Sequence, residues 1–388
     1  MRFIDASTKN RILPIDLIRT FSTISVFLFH FNPNTYINGW IGVDFFFIIS
    51  GFLVNLSIKK IINLEIKSFI SYLNKRFIRI YLPFLFYIPL TLIIVFFTLD
   101  SSATVNNLKS LGIGSLFLMT PYRLFQGHNY FEIGSIDLTS HLWSISSEFF
   151  AYLIFPLTLL IANVISKNKN QIKLIEFFQA TFLLIILFNF KGDSYYSLGG
   201  KYFLFLFGVY FSSIASYLKS KFKKIFGKVE NLYSRYYYTF SIFSILTPVL
   251  ILFLPIKLPH YPSIFSLLLV VTSSSLYLLL SYIHVNLTDN KKLKLSKINI
   301  LLKIFILPGI FSLSFYLIHI PTIYFLKMLS ESYSYLQPNL LLLSALLSFI
   351  LSILSAYFFE FKAYSFILNL KLKRNLIYIF FISLPLFI

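Results

Sequence analysis

Cysteine is absent from the sequence, so disulfides, thiolate catalysis and cysteine-based metal sites are excluded. Charge is also scarce: Asp, Glu, Lys and Arg make up 12% of the 388 residues, about half the fraction typical of soluble domains. Only 14 residues are acidic, against 34 basic ones, which gives a net charge of +20. So little charge leaves no room for a large soluble domain.

Apolar residues fill the chain instead. They account for 57% of it, the mean hydropathy is +0.79, and runs of roughly twenty apolar residues recur along its length. Because backbone groups in lipid must be bonded within the protein, the predicted fold class is all-α, a polytopic integral membrane helical bundle. We expect one membrane-embedded domain over 1–388, with its core at about 12–365 and a C-terminal tail at 366–388.

The apolar runs predict about ten transmembrane helices, at 15–31, 38–57, 79–99, 141–163, 173–190, 199–218, 236–255, 262–284, 304–326 and 338–360. A last apolar stretch, 375–388, is short for a full span, so it is half-inserted, interfacial or an eleventh helix. The outer connection 100–140 contains GIGSLFLMTPYRLF, which predicts a re-entrant or interfacial helix; an ordinary exposed loop is the alternative.

The basic residues fix the orientation. With the N-terminus in the cytoplasm, 27 of the 34 basic residues fall on cytoplasmic segments and only six on outer ones. This asymmetry explains the net charge as a topology signal beside anionic lipid, so we expect a lipid bilayer and no nucleic acid as a partner. The first span contains Arg19 and leads directly into another span, so it is not a cleavable signal peptide.

Arginines gather toward the cytoplasmic side. Arg19 lies inside the first span, Arg76 and Arg79 enter the third, and Glu360 closes the tenth. The guanidinium is a rigid fork of donors suited to phosphate. The plainer interpretation is that Arg19 snorkels to a headgroup and that Arg76 and Arg79 are ordinary basic residues at a helix end.

A second polar group lies toward the outer half of the membrane. It comprises His30, Asp44, His141, Trp143, Glu148 and His319. His30 lies eleven residues after Arg19, so both share one helix face about 16 Å apart along the axis. Ionisable groups inside spans are expensive, which favours a site, either for general acid–base chemistry or for a proton relay in a transporter. The plainer alternatives are a satisfied interfacial His30, an interfacial His141 and an aromatic-belt Trp143.

Six motifs occur in a fixed order along the chain. They are Asp16–Leu–Ile–Arg19 with ten residues before His30, GVDFFFIISGFL, Arg76–Phe–Ile–Arg79, HLWSISSEFF, SFYLIHIP and a late Glu360. This ordered set resembles the acyltransferase-3 family of membrane O-acyltransferases, of the bacterial surface-polysaccharide type. The resemblance covers nearly the whole chain.

The resemblance implies transfer of an acetyl group from cytoplasmic acetyl-CoA to a hydroxyl of a surface or lipid-linked polysaccharide, such as lipopolysaccharide, in the bacterial inner membrane. It pairs Arg19 with His30, both required for activity, and makes His30 the catalytic base; we add Asp44 and Glu148, either of which would hold the His30 tautomer. Arg19, Arg76, Arg79, Ser50 and Gly51 are the expected donor-binding residues. His141, Trp143, Tyr316 and His319 are the expected acceptor-binding residues. No metal is required.

Some positions depart from the family pattern. Ser147 replaces the first of a Glu pair, Ile318 replaces a tryptophan, and Phe361 follows Glu360 where proline is common. We expect no C-terminal esterase-like domain. Direct attack and a relay through an acyl-histidine both remain open. The competing class is a flippase for a lipid-linked glycan, which would move its cargo without acetylating it. Ser50, Gly51 and Gly42 also allow plain helix packing.

Overall fold

The computed structural model describes residues 13–61, 66–126, 137–165, 198–225, 270 and 306–369. Within these ranges the ordered elements are helices, and no strand occurs among the described residues. The chain divides into two compact units. The first comprises Met1–Lys60, Leu183–Phe190 and Gly199–Ser312, and the second comprises Ile61–Phe182, Lys191–Leu198 and Leu313–Ile388. The single domain expected over 1–388 stays a prediction.

Ten α-helices are described. They are α1 (Leu13–Phe31), α2 (Ile41–Ile61), α3 (Ile66–Thr98), α4 (Ser101–Ser115), α5 (Met119–Gln126), α6 (Leu142–Ile165), α7 (Leu198–Ile225), α8 (Ser312–Ser332), α9 (Leu340–Ser355) and α10 (Tyr364–Asn369). A 3₁₀ turn (Ser334–Asn339) precedes α9, and a π-helical segment (Ala356–Ala363) joins α9 to α10.

Helices lie at seven of the ten predicted spans. In the described part of the chain, five helical stretches are long and apolar enough to cross a membrane: Ile41–Ile58, Ile66–Thr98, Leu142–Ile161, Ser312–Ser332 and Ser334–Phe366. The predicted spans 173–190, 236–255 and 262–284 lie outside the described residues, Val270 excepted, as does the stretch 375–388. The protein is thus a multi-pass membrane protein whose described part is helical.

Helix α3 differs from its prediction. It begins at Ile66, thirteen residues before the predicted start of the third span at 79, and it runs for 33 residues. At 1.5 Å per residue it is about 50 Å long, so it extends well beyond a hydrocarbon layer of about 30 Å or is tilted within it. Arg76 and Arg79 therefore lie inside a helix, and not at its first turn.

The first unit is held by close helix packing. An added Cβ at Gly51 of α2 would overlap the carbonyl oxygen of Phe205 in α7, and one at Gly208 of α7 would overlap that of Ile48. Each glycine therefore faces the partner backbone, which brings α2 and α7 into direct contact. Asn55 adds a hydrogen bond from its side-chain amide to the carbonyl of Val209, at 2.9 Å.

Helix α1 packs on two neighbours in this unit. Gly42 of α2 lies against the carbonyl of Ser22, so the predicted close approach at Gly42 is a helix–helix contact. On another side, the Thr20 hydroxyl accepts the backbone N–H of Gly309 at 3.1 Å and donates to the carbonyl of Asp16 at 2.9 Å.

In the second unit, the predicted outer helix is present as two helices, α4 and α5. Asp100 caps α4 because its carboxylate accepts the N–H of Ala103 at 2.7 Å, and this bond holds the pKa of the exposed Asp100 carboxyl below its ordinary value. Helix α5 is tied to α6 by the Thr120 hydroxyl, which donates to the Trp143 carbonyl at 2.6 Å. An ion pair between Arg123 and Asp137 fixes its end.

Helices α8 and α9 meet along a row of hydroxyl groups. All four serines of α9 are buried, and they recur every three to four residues, so they share one face of the helix: Ser344, Ser348, Ser352 and Ser355. The hydroxyls of Thr322 and Ser348 lie 2.5 Å apart, and those of Ser314 and Ser355 lie 3.2 Å apart. Small hydroxyl residues let transmembrane helices approach closely and bond across the interface.

Candidate active site

Arg19 and His30 lie on one continuous helix, α1, as their spacing predicted. Both residues are half-buried. The Nδ1 atom of His30 is 2.9 Å from the carbonyl oxygen of Val26, one turn earlier. A carbonyl can only accept, so Nδ1 carries the proton, and Nε2 is the basic nitrogen of the neutral ring. The local backbone thus sets the tautomer that a carboxylate was expected to set.

Asp44 has a different partner from the one expected. Its Oδ1 lies 2.5 Å from the Nζ of Lys201 in α7, and the two side chains are 2% and 0% exposed. Phe45 packs edge-on against Phe21, 5.7 Å between ring centroids, so Asp44 lies beside the middle of α1. His30 is about two and a half turns, or 13 Å, further along that helix. Asp44 is therefore held by lysine, and its place among the catalytic residues stays a prediction.

Lys201 is the functional candidate that sequence reasoning missed. Lys201 is one of the six basic residues that the sequence assigns to outer segments, yet it is completely buried. The signal was present as a lysine at the start of the apolar run GGKYFLFLFGVYF. Spacing alone gave no indication of its partner, because the two ion-paired residues are 157 positions apart.

The predicted donor-binding residues of α2 lie in a packed environment. Ser50 is buried, and Gly51 faces the backbone of Phe205. The structure accordingly gives Gly51 a helix-packing role, which was the plainer alternative. Whether either residue approaches a donor stays a prediction.

In the second unit, Arg76 lies close to two aromatic rings. Its guanidinium carbon is 5.0 Å from the ring centroid of Tyr152 and 5.6 Å from that of Tyr72. The phenol of Tyr152 donates a hydrogen bond to Glu148. Arg79, one turn further along α3, is exposed. Arg76 and Glu148, predicted for different tasks, therefore belong to one cluster.

Three of the predicted acceptor-binding residues, His141, Tyr316 and His319, form a buried cluster between the start of α6 and α8. The Nε2 of His141 is 3.0 Å from the Leu317 carbonyl, and the Nδ1 of His319 is 2.6 Å from the Tyr316 carbonyl, so each of these nitrogens carries a proton. The two imidazole centroids are 5.3 Å apart. The Tyr316 hydroxyl donates to the His141 carbonyl at 3.1 Å and accepts from Ser144 at 2.6 Å.

Burial bears on the two plainer interpretations of the start of α6. His141 and Trp143 are both 0% exposed, so neither side chain faces lipid or water, and Trp143 does not belong to a lipid-facing aromatic belt. The depth of His141 in the membrane stays a prediction, as does the contact of both residues with an acceptor sugar.

Glu360 lies in the π-helical segment between α9 and α10, where its carboxylate accepts a hydrogen bond from Ser314 at 2.5 Å. Such π-helical irregularities often mark functional positions. Across the described ranges, no group of three or more His, Asp or Glu side chains is arranged to hold a metal ion.

These features define a polytopic membrane protein with ionisable groups held in its interior. The profile of the acyltransferase-3 family, described as an acyltransferase domain, matches residues 12–361. The chain therefore belongs to that family, as its motifs predicted.

Two curated relatives are similar to part of the chain. The O-acetyltransferase OatA of Staphylococcus aureus (strain NCTC 8325) is 28% identical over 189 residues, which are 47% of this chain and 31% of the relative. The Bacillus subtilis (strain 168) protein named "Putative peptidoglycan O-acetyltransferase YrhL" is 31% identical over 170 residues, which are 42% of this chain and 26% of the relative. The matched region thus spans less than a third of either relative. No solved structure matches the chain significantly.

Proposed function

We propose that this protein is an acetyl-CoA-dependent O-acetyltransferase of the bacterial inner membrane, with its N-terminus in the cytoplasm. Its acceptor is a sugar hydroxyl of a surface or lipid-linked polysaccharide. Membership of the acyltransferase-3 family supports acyl transfer. The names of the two relatives support acetyl as the group, and one of them specifies peptidoglycan as an acceptor class to test first.

The observation that carries the proposal is the tautomer of the His30 imidazole ring. Because Nδ1 donates to the Val26 carbonyl, the ring presents Nε2 as its base. A base held in one tautomer is what proton abstraction from a sugar hydroxyl requires. Arg19, three turns away on the same helix, supplies a fixed cation for a phosphate of the donor.

The reaction follows from these roles. His30 Nε2 takes the proton of the sugar hydroxyl as its oxygen attacks the thioester carbonyl carbon. The carbon–sulfur bond then breaks, the thiolate leaves, and the imidazolium returns its proton to sulfur, so the enzyme ends in its starting state. In the relay alternative, Nε2 itself accepts the acetyl group first and passes it to the sugar. Loss of a positioned base lowers such rates by about a hundredfold to ten-thousandfold.

The donor contacts are proposed residue by residue. Arg19, Arg76 and Arg79 are the residues that we propose, from the motifs alone, for the phosphates of acetyl-CoA. Arg79 is exposed, and the guanidinium of Arg76 lies close to two aromatic rings. Guanidinium groups recognise phosphate with paired hydrogen bonds, which lysine cannot reproduce.

The proposal is tested by the O-acetyl content of the cell-surface glycan, measured by NMR or mass spectrometry. Cells with the gene, without it, and carrying His30→Ala are compared. Asn34→Ala, in the exposed turn after α1, is the matched control for membrane insertion. We expect acetyl esters to vanish in the deletion, to return with wild type and Asn34→Ala, and to stay absent with His30→Ala.

Two outcomes contradict the proposal. Full acetylation by a correctly inserted His30→Ala protein removes the assigned base. Unchanged acetylation in the deletion, together with truncated or missing surface glycan, favours the flippase class, in which the interior ionisable groups line a substrate path.

A further inference from the structure

Arg76 lies among three residues that, together with it, link α3 to α6; this set of four, here named the Arg76 clamp, comprises Tyr72, Arg76, Glu148 and Tyr152. Tyr72 and Tyr152 are 4% and 6% exposed, whereas Arg76 is only half-buried. The guanidinium carbon lies within 6 Å of both ring centroids. That is the range in which a cation is attracted to an aromatic face, more strongly where water is excluded.

Glu148 fixes the ring of Tyr152. The two residues lie on consecutive turns of α6, four positions apart, and the phenol donates to Glu148 Oε1. A hydrogen bond to a carboxylate is stronger than one to a neutral acceptor, so it holds the phenol in one direction. The orientation of the ring, and with it the placement of the guanidinium, thus depends on Glu148.

We propose that Tyr152, oriented by Glu148 and assisted by Tyr72, is a positioning residue that presents Arg76 to a phosphate group of coenzyme A. This rests on the proposed function and changes the part assigned to Glu148. Glu148 acts through Tyr152 on the donor site, and it does not hold the tautomer of His30, which the Val26 carbonyl already sets.

The physical reason is pre-organisation. A free arginine side chain loses much of its rotamer freedom when it binds a ligand, which weakens binding. Rings that hold the guanidinium in place remove part of that cost before the ligand arrives. They also keep the planar fork in a fixed orientation, which matters for paired hydrogen bonds to phosphate oxygens.

The test measures binding of coenzyme A to the purified full chain in lipid nanodiscs. Acetyl-pantetheine, which carries the thioester arm but no phosphate, is the second probe. The variants are Tyr152→Leu, Tyr152→Phe and Arg76→Ala. The control is Tyr122→Leu, which removes a ring 5.8 Å from the amine of Lys109, a cation–ring pair elsewhere in the second unit.

We expect Tyr152→Leu to raise the Kd for coenzyme A about tenfold, the effect of losing a desolvated cation–ring contact. Tyr152→Phe keeps the ring and loses the bond to Glu148, so about a threefold increase is expected. Arg76→Ala should weaken binding by at least about tenfold. Acetyl-pantetheine should bind every variant as it binds wild type, and Tyr122→Leu should match wild type with both probes.

The failures are distinguishable. Wild-type affinity in Tyr152→Leu, with weakened binding in Arg76→Ala, overturns the clamp and leaves the donor assignment standing. Equal loss of affinity for both probes makes Tyr152 merely structural and also overturns the clamp. No binding of coenzyme A by wild type overturns the proposed function and the clamp together. If Tyr152→Leu does not fold, the Kd for coenzyme A is measured in Tyr72→Leu and Tyr152→Phe instead. A wild-type Kd in both of these variants overturns the clamp.

Discussion

Replacement of Lys201 by methionine removes the cation from a fully buried ion pair. The Nζ and Oδ1 atoms are 2.5 Å apart, and the side chains of Lys201 and Asp44 are 0% and 2% exposed, so the pair is shielded from bulk water. A buried carboxylate left without its cation costs about 3–5 kcal/mol. We expect Lys201→Met to lower the free energy of unfolding by that amount.

The double variant Asp44→Leu/Lys201→Met separates a lost charge partner from lost packing. Apolar residues of similar volume often replace a buried ion pair at little cost, so the double variant should recover most of the loss. The assay is reversible unfolding of the purified protein in mixed micelles, with Lys327→Met, at a half-buried lysine of α8, as the control. If Lys201→Met loses less than about 1 kcal/mol of unfolding free energy, the ion pair does not stabilise the fold as expected. The same follows if the double variant loses as much as the two single variants together.

Three further substitutions are read in the same unfolding assay. Gly51→Ala should lower the free energy of unfolding by about 1–3 kcal/mol, because its Cβ overlaps the Phe205 carbonyl and helices α2 and α7 must separate. Unchanged stability would contradict this close packing. Gly112→Ala, in α4 with open space around its Cβ position, should raise the free energy of unfolding by about 0.5–1 kcal/mol, and a lower stability would contradict the open space. Thr20→Val should cost about 1–3 kcal/mol because the buried N–H of Gly309 loses its acceptor, and a neutral result rules out that bond.

Span positions were predictable where apolar length alone decides them. The predicted spans 15–31 and 141–163 differ from α1 and α6 by at most two residues at either end. The start of α3 was not predictable in this way. The segment before 79 contains Lys75, Arg76 and other polar residues, so its low hydropathy predicted a loop. The helix nevertheless continues through these residues. Hydropathy reports the edge of the lipid, not the end of the helix.

The site was predictable where it depends on local geometry. The common helix of Arg19 and His30 followed from their spacing, and the His30–Val26 bond spans one helical turn, so it was within reach of the sequence. The Asp44–Lys201 pair was not, because tertiary packing alone brings α2 and α7 together. The π-helical segment holding Glu360 was likewise hidden, since a change of hydrogen-bond register leaves no mark in an apolar run.

Transfer of labelled acetyl by purified protein tests the proposed O-acetyltransferase activity and the role of His30 in one assay. Wild type, His30→Ala and Arg19→Ala are reconstituted in proteoliposomes with radiolabelled acetyl-CoA and glycan fragments, peptidoglycan fragments first. We expect label on the glycan with wild type and a loss of at least about a hundredfold with His30→Ala. Transfer by His30→Ala at the wild-type rate would rule out His30 as the base, and movement of glycan across the membrane by wild type with no label attached would rule out acetyl transfer.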